Sequence, residues 1–401
     1  MIFLITAWLL ELLLGIGRFL LHPLVYFFAG YAILLGYFRV KRERRAFHIR
    51  VNDGFYDLRS LLPGAWIAGL VISIVTIAVG VVIPFGTIVL IALITLLLSL
   101  PIKARLLSPA YVLGISFLLL LFVSKLSVEK DTFIGSLLAD MGSTSLSAVA
   151  ILLGLLVVAE GILIMKRGHI GTSPDLLKSK RGLPVGAHIT QRLWMAPIFL
   201  LVPGEALTTH YEWWPVFTLS GETYSLFLVP FGIGFYHKVK SMLPVKTIRL
   251  VGQRVIFLGA VLTIAAVISI WLPAVATFVA CFAIVGRELI SLQHYIFDDS
   301  RSSIFSKTNH GLIVLGVIPY SPAEKMQIRV GETIVKVNGN QVKTVFDFYE
   351  SLQKNRAYCK LDVLNANGEV RYVQRALYDG EHHELGLLFV EEGKRWKGRA
   401  V

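Results

Sequence analysis

Long apolar runs, each followed by a short basic stretch, constrain this chain more than any motif in it. Several windows exceed 18 residues with almost no charge, and runs of that length read as membrane-spanning helices. The composition agrees. Of 401 residues, 55% are hydrophobic, and the mean hydropathy of +0.68 is high for a soluble fold of ordinary composition. The formal net charge is +13. In a soluble chain that excess would suggest a nucleic-acid partner. Here the basic residues fall in short loops between apolar segments, where retention of Lys and Arg on the cytoplasmic side explains them, so no nucleic acid is expected.

Residues 2–38 are apolar apart from Glu11, Arg18 and His22. As one helix they would extend roughly 55 Å, too long for a hydrocarbon core of about 30 Å. His22-Pro23 is the natural break, because proline disfavours helix at the residue before it. The region therefore reads as two short crossings (favoured), a re-entrant pair, or an interfacial helix made amphipathic by Glu11 and Arg18 and followed by one crossing. It does not read as a secretory signal, lacking a basic flank and a small-residue cleavage site.

Residues 39–50 carry six basic side chains and one acidic, and are expected to form a cytoplasmic loop that fixes orientation. A sharper reading adds attraction to anionic lipid, about 1 kcal/mol per basic residue. Helical spans are then expected near 62–83, 85–101, 107–123, 145–165, 195–209, 213–235, 255–271 and 273–290. The outer loops would carry Glu129, Lys130, Asp131 and Asp140, then an aromatic turn of His210, Tyr211, Glu212, Trp213 and Trp214. Every basic loop falls on one side in this arrangement, and so does the C-terminal end. Inside the apolar runs, Glu160 is expected near the inner interface, paired with a basic neighbour, while Arg287 and Glu288 mark the inner end of the last span.

Beyond residue 300 the pattern changes. Ser321-Pro322-Ala323-Glu324 is a helix start, with a capping serine, proline in the first turn and a glutamate able to reach back. Ile334–Val337 reads as a strand ending at Asn338-Gly339, a turn suited to positive φ. Thr344-Val345-Phe346-Asp347 opens a second short helix. Lys360–Leu364 and Glu369–Val373 pair across Asn367-Gly368, and a further strand is expected near Leu385–Val390. Past it come Glu391, Glu392, Lys394, Arg395 and Lys397, expected to fray.

This order of elements resembles bacterial PDZ domains over about 70 residues. The matching motifs are the Gly311-Leu312-Ile313-Val314 loop, the Ser-Pro-Ala-Glu helix start, and Val337-Asn338-Gly339 preceded by Gly331-Glu332. The resemblance implies that a partner's extended tail adds as a strand beside residues 312–318, with main-chain hydrogen bonds giving affinity and pockets giving specificity. Amides around Gly311, Leu312 and Ile313, with Val314 beside them, would receive a terminal carboxylate. The helix from 345 to 354 would form the far wall, where Phe346, Tyr349 and Gln353 either face the groove or pack the core. The fold class expected is thus a polytopic α-helical membrane domain (residues 1–300, about 8–10 crossings) followed by a small α+β PDZ domain (301–401).

Signs of chemistry are sparse. No His-Glu-x-x-His string occurs; the nearest, His382-His383-Glu384, lacks the second ligand. A Gly-x-Ser-x-Gly turn is absent too. Two cysteines, Cys281 and Cys359, suggest neither a disulfide framework nor a metal cluster. No catalytic residue, cofactor or metal is expected. A PDZ-regulated membrane protease or protease regulator stays open as an alternative, and so does a transporter with a regulatory domain.

The whole chain also resembles the MinJ family of Gram-positive bacteria. The matching stretches, in order, are His22-Pro23, Tyr37-Phe38-Arg39-Val40-Lys41-Arg42-Glu43-Arg44, Leu107-Ser108-Pro109-Ala110-Tyr111, Ala159-Glu160-Gly161, Arg192-Leu193-Trp194 and Val202-Pro203-Gly204. That resemblance implies a non-enzymatic adaptor in the plasma membrane, enriched at septa and poles, with its PDZ domain in the cytoplasm. It would link a DivIVA-like protein to a MinD-like ATPase, and no motif assigns either partner to particular residues.

Overall fold

The computed structural model describes residues 2–125, 131–179, 181–208, 214–217, 223–355, 357–365, 367–378 and 385–390. The elements run α1 (Ile2–Leu21), α2 (Pro23–Phe47), α3 (Tyr56–Arg59), α4 (Ala65–Val79), α5 (Phe85–Ser99), α6 (Pro109–Val123), α7 (Phe133–Gly142) and α8 (Leu146–Arg167). Three strands follow, β1 (Ser173–Lys178), β2 (Pro184–Thr208) and β3 (Thr223–Val239), then α9 (Pro244–Ile268) and α10 (Ala274–Ser300). The C-terminal region holds β4 (Leu312–Ile313), β5 (Gly316–Val317), α11 (Pro322–Lys325), β6 (Thr333–Val337), β7 (Asn340–Gln341), α12 (Val345–Gln353), β8 (Tyr358–Leu364), β9 (Val370–Ala376) and β10 (Leu387–Leu388). Among the described residues α2, α8, α9 and α10 are long and apolar enough to cross a bilayer, whereas α4, α5, α6 and α7 are apolar but shorter.

Two expectations are corrected. The spans placed near 195–209 and 213–235 are not helices but β2 and β3, a long antiparallel hairpin with β1 on its outer side. Proline explains the choice. Pro197 and Pro230 lie opposite each other in the register, and each would cost about 3 kcal/mol inside a helix. On a strand edge a missing N–H costs little. The basic stretch 39–50 is likewise no loop. Helix α2 continues to Phe47, and Arg39 and Glu43 are buried. The charges at Glu129 and Lys130, the aromatic turn 210–213, and residues 382–384 and 391–401 lie outside the described residues; Trp214 is described, its indole N–H donating to Ile77 O at 2.9 Å.

A hairpin sunk among apolar helices must satisfy its outer edges, because an unpaired buried backbone group costs several kcal/mol. Helix α4 covers the β2 edge. The Met195 amide donates to Leu61 O (2.9 Å), Pro197 has no amide, and the Phe199 amide donates to Ser73 Oγ (2.8 Å). The Thr76 hydroxyl donates to Phe199 O (3.1 Å), and the Ile83 amide to Leu201 O (2.8 Å). Gly69 lets α4 come this close, since a Cβ there would overlap the Pro197 carbonyl oxygen. Helix α1 serves β3. Buried Glu11 accepts from the Leu226 amide at 3.1 Å, and Arg18 Nη1 donates to Leu226 O at 3.2 Å. The two side chains also pair, at 3.4 Å.

The helices α8 and α9 meet along a glycine seam. Gly154 and Gly161 on α8 abut Thr263 and Ile256, while Gly252 and Gly259 on α9 abut Met165 and Val158. Small residues at such spacing let two backbones approach in an apolar medium. Glu160, fully buried on α8, pairs with Arg287 of α10 at 2.9 Å and accepts from Ser108 Oγ at 2.6 Å. The basic partner expected for Glu160 is thus Arg287.

At the base of the hairpin four charged side chains form a buried network. Arg39 donates to Asp57 (3.0 Å) and Glu43 (3.2 Å), and to the Asn52 and Asp53 carbonyls. Glu43 also accepts from Ser173 Oγ (2.8 Å) and the Val51 amide (2.7 Å). Arg192 binds the Ile170 and Gly171 carbonyls, lies 3.6 Å from Asp57, and stacks over Tyr56 at 4.8 Å. The C-terminal region docks beside this base. Leu315 packs with Leu176 and Phe305, and the Gly186 amide donates to Phe305 O at 2.7 Å. His188 sits against the Phe305 ring (5.2 Å), with Nε2 2.8 Å from Leu315 O and Nδ1 3.0 Å from the Thr172 hydroxyl. Nε2–H therefore donates to the carbonyl and Nδ1 accepts from the threonine. Burial pushes this imidazole down to about 4, against the opposing pull of the Leu315 carbonyl.

Two outcomes are expected. Gly69→Val lowers stability by about 1–3 kcal/mol through overpacking. Gly30→Ala, where nothing lies within 4 Å, is neutral or gains up to about 1 kcal/mol; thermal unfolding in detergent compares the two. For His188 the folded pKa is depressed, so its contribution is full above the unperturbed value of about 6.5 and is lost as pH falls from there toward 4, by about 1.4 kcal/mol per unit. The stability difference between the native chain and His188→Phe should be flat above pH 6.5 and shrink below it; a difference independent of pH would refute the docking role.

Candidate recognition surface

The C-terminal sheet runs β4-β6-β8-β9, with β7 on β6, and a separate pair joins β5 to β10. Local chemistry sets each piece. Ser321 Oγ accepts from the Glu324 amide, and the Glu324 carboxylate accepts from the Tyr320 amide, which starts α11. Asn338 (φ 50°) and Gly339 (φ 87°) turn the chain from β6 into β7. Thr344 and Asp347 form a reciprocal capping box at α12, and the hydroxyl of Thr344 with the amides of Lys343 and Thr344 holds the Asp347 carboxyl below its usual range. Phe348, Leu352, Ile334, Val337, Leu361 and Val363 fill the core. Cys359 lies among them, its thiol pushed up to about 12 by burial, so it carries no thiolate at neutral pH.

Residues 311–318 lie between two of the chain's own segments. Leu312 and Ile313 pair with Ile334 and Thr333, and the Val314 amide donates to Glu332 O at 2.8 Å. A Cβ at Gly311 would overlap Ile334 O, so only glycine fits there. On the other side the Leu315 amide donates to Leu388 O (2.7 Å) and the Ile318 amide to Gly386 O (2.8 Å). A tail adding beside 312–318 would have to displace residues 385–388. The outer side of β10 has no strand partner among the described residues, while the Leu385 carbonyl just before it accepts from the Ala323 amide at 3.0 Å.

Helix α12 lies beside β10, with Phe348 edge-on to Phe389 at 5.2 Å. Of the three helix residues singled out in the sequence, Phe346 is 75% exposed and Gln353 is exposed. Tyr349 is half-buried against Phe348 at 5.2 Å. Leu312 and Val314 belong to the core. Leu387 and Phe389, in the strand expected near Leu385–Val390, belong to the same core. The pairing of that strand with β5, across some seventy positions, leaves no local mark in the sequence. Among the described residues no group of three or more His, Cys, Asp or Glu side chains is placed to hold a metal ion. The surface offers hydrogen-bonding backbone and apolar side chains, which suits binding a strand.

No protein-family model matches the chain. The cell division topological determinant MinJ of Bacillus subtilis (strain 168) is 41% identical to it over 390 residues, 97% of each chain. The probable cell division topological determinant MinJ of Lacticaseibacillus paracasei is 25% identical over 279 residues, 64% of this chain and 71% of that one. Identity of this extent carries the family through both the helical and the strand-rich regions, and the chain belongs to the MinJ family.

Proposed function

We propose that this protein is a non-enzymatic adaptor for division-site selection, held in the plasma membrane and concentrated at septa and poles. Its near full-length likeness to a cell division topological determinant is the observation that carries the reading. The adaptor would link a DivIVA-like protein to a MinD-like ATPase. Membrane placement is supported by the four long apolar helices and by large side chains exposed on their outer faces, such as Phe257 (72%), Ile264 (64%) and Phe278 (60%). Apolar exposure on that scale suits lipid rather than water.

The C-terminal region, residues 301–401, would be a cytoplasmic PDZ module. Its free β10 edge, walled by α12, suits an extended peptide better than the 312–318 edge does, because the latter is already paired. The groove in this reading has Tyr349 on its wall and Phe346 and Gln353 at its rim, above the buried Leu387 and Phe389. Gly311, Leu312, Ile313 and Val314 support the floor from behind.

A functional fluorescent fusion in dividing cells is expected to mark septa and poles and to lose that pattern when the DivIVA-like protein is removed. Uniform membrane fluorescence indifferent to that partner would overturn the adaptor reading. The protein is expected to stay with membranes through alkaline carbonate washing; release into the supernatant would overturn the membrane placement alone.

A further inference from the structure

A groove of about 590 Å³ opens on the side of the helical region, between the α1–α2 junction and α5. Its wall is apolar, with Phe85, Val89 and Leu93 of α5 and Phe227 of β3, and Arg18 and His22 also line it. The volume is that of a cavity taking a ligand of some tens of heavy atoms. Along α5 it extends from Phe85 to Leu96, roughly 16 Å of helix, or half of a hydrocarbon core about 30 Å thick. One leaflet has that depth.

The polar groups at the groove are hydrogen-bond donors. The side chain of Arg18 is 38% accessible, and its contacts with Glu11 and Leu226 both use Nη1. Nε and Nη2 have no partner among the described residues. His22 Nδ1 accepts from the Leu24 amide at 3.2 Å, so in the neutral ring Nε2 carries the proton and can donate. The nearby acid, Glu11, is buried and its Oε2 is engaged by the Leu226 amide and Arg18. An incoming anion finds donors, whereas an ammonium finds no Asp or Glu among the residues lining the groove. Position agrees with chemistry. From His22 to Arg39 the helix rises roughly 25 Å, close to a core's thickness, so these donors sit near the interface opposite the basic end of α2.

We propose that this groove is a binding site for one anionic glycerophospholipid. An acyl chain lies along α5, and the phosphodiester is held by Arg18 and the Nε2–H of His22. The lipid covers the junction where α1 turns into α2 and backs the helix that caps the β3 edge. The site depends on the membrane placement above and not on the adaptor role.

Native mass spectrometry of the detergent-solubilised full chain, with phosphatidylglycerol or phosphatidylcholine added, tests this. The native protein should retain one phosphatidylglycerol about tenfold more tightly than phosphatidylcholine, a difference of about 1.4 kcal/mol. Val89→Trp, which fills the groove without touching either donor, should reduce retention of both lipids by at least about tenfold. Leu93→Trp, at an exposed position, is the second filling variant if Val89→Trp does not fold. Arg18→Gln should erase the preference between lipids, and glycerol phosphate should not compete. Equal retention of the two lipids by the native chain, unchanged retention in a folded filling variant, or displacement by glycerol phosphate would each overturn the proposal.

Discussion

Helices α1 and α4 are placed by the need to close the outer hydrogen bonds of one hairpin. Strands β2 and β3 satisfy each other along a shared register, but two rows of outward groups remain. Helices cannot pair with a strand edge by backbone ladders alone, so side chains and chain breaks do it. Ser73 and Thr76 on α4 act as surrogate strand atoms, the extended turn at Ile83 adds one true strand contact, and prolines delete donors that would otherwise lack partners. On β3 the work falls to a glutamate and an arginine of α1. Charged groups are costly at this depth unless paired and hydrogen-bonded, and these two are both.

The buried charges divide into two sets with different duties. Glu160 and Arg287 join helix to helix and brace the bundle. Arg39, Glu43, Asp57 and Arg192 join α2, the 51–60 segment, β1 and β2, and so fix the base on which the C-terminal region rests. Removing one member of such a set leaves its partner as an unpaired buried charge, which costs more than the pair itself is worth.

Legibility in the sequence followed the range of the interactions. The His22-Pro23 break, the Ser321 and Thr344 caps and the Asn338-Gly339 turn are encoded within four residues, and each lies where local chemistry puts it. The 195–235 segment was misread because an apolar run of that length fits a helix or a buried strand equally well by periodicity. Its prolines and aromatics were the available clue. Partners far apart in sequence left no trace: Glu11 with Leu226, Ser173 with Glu43, and Leu388 with Leu315. The pairing of Leu388 with Leu315 is what occupies that side of residues 312–318.

The contact between His188 and Leu315, with Phe305 clasped to Gly186, means that the C-terminal region does not hang on a leash. A module on a flexible linker sweeps a volume and meets partners from any direction. In the membrane placement proposed above, a module bolted to the embedded body turns only as that body turns about the membrane normal, so its search would be two-dimensional and its proposed binding edge would stay at one height. Partners already spread on the bilayer surface would meet that edge at a high effective concentration, while those in the bulk would gain nothing. For such a protein, where the partner sits matters as much as what its tail contains.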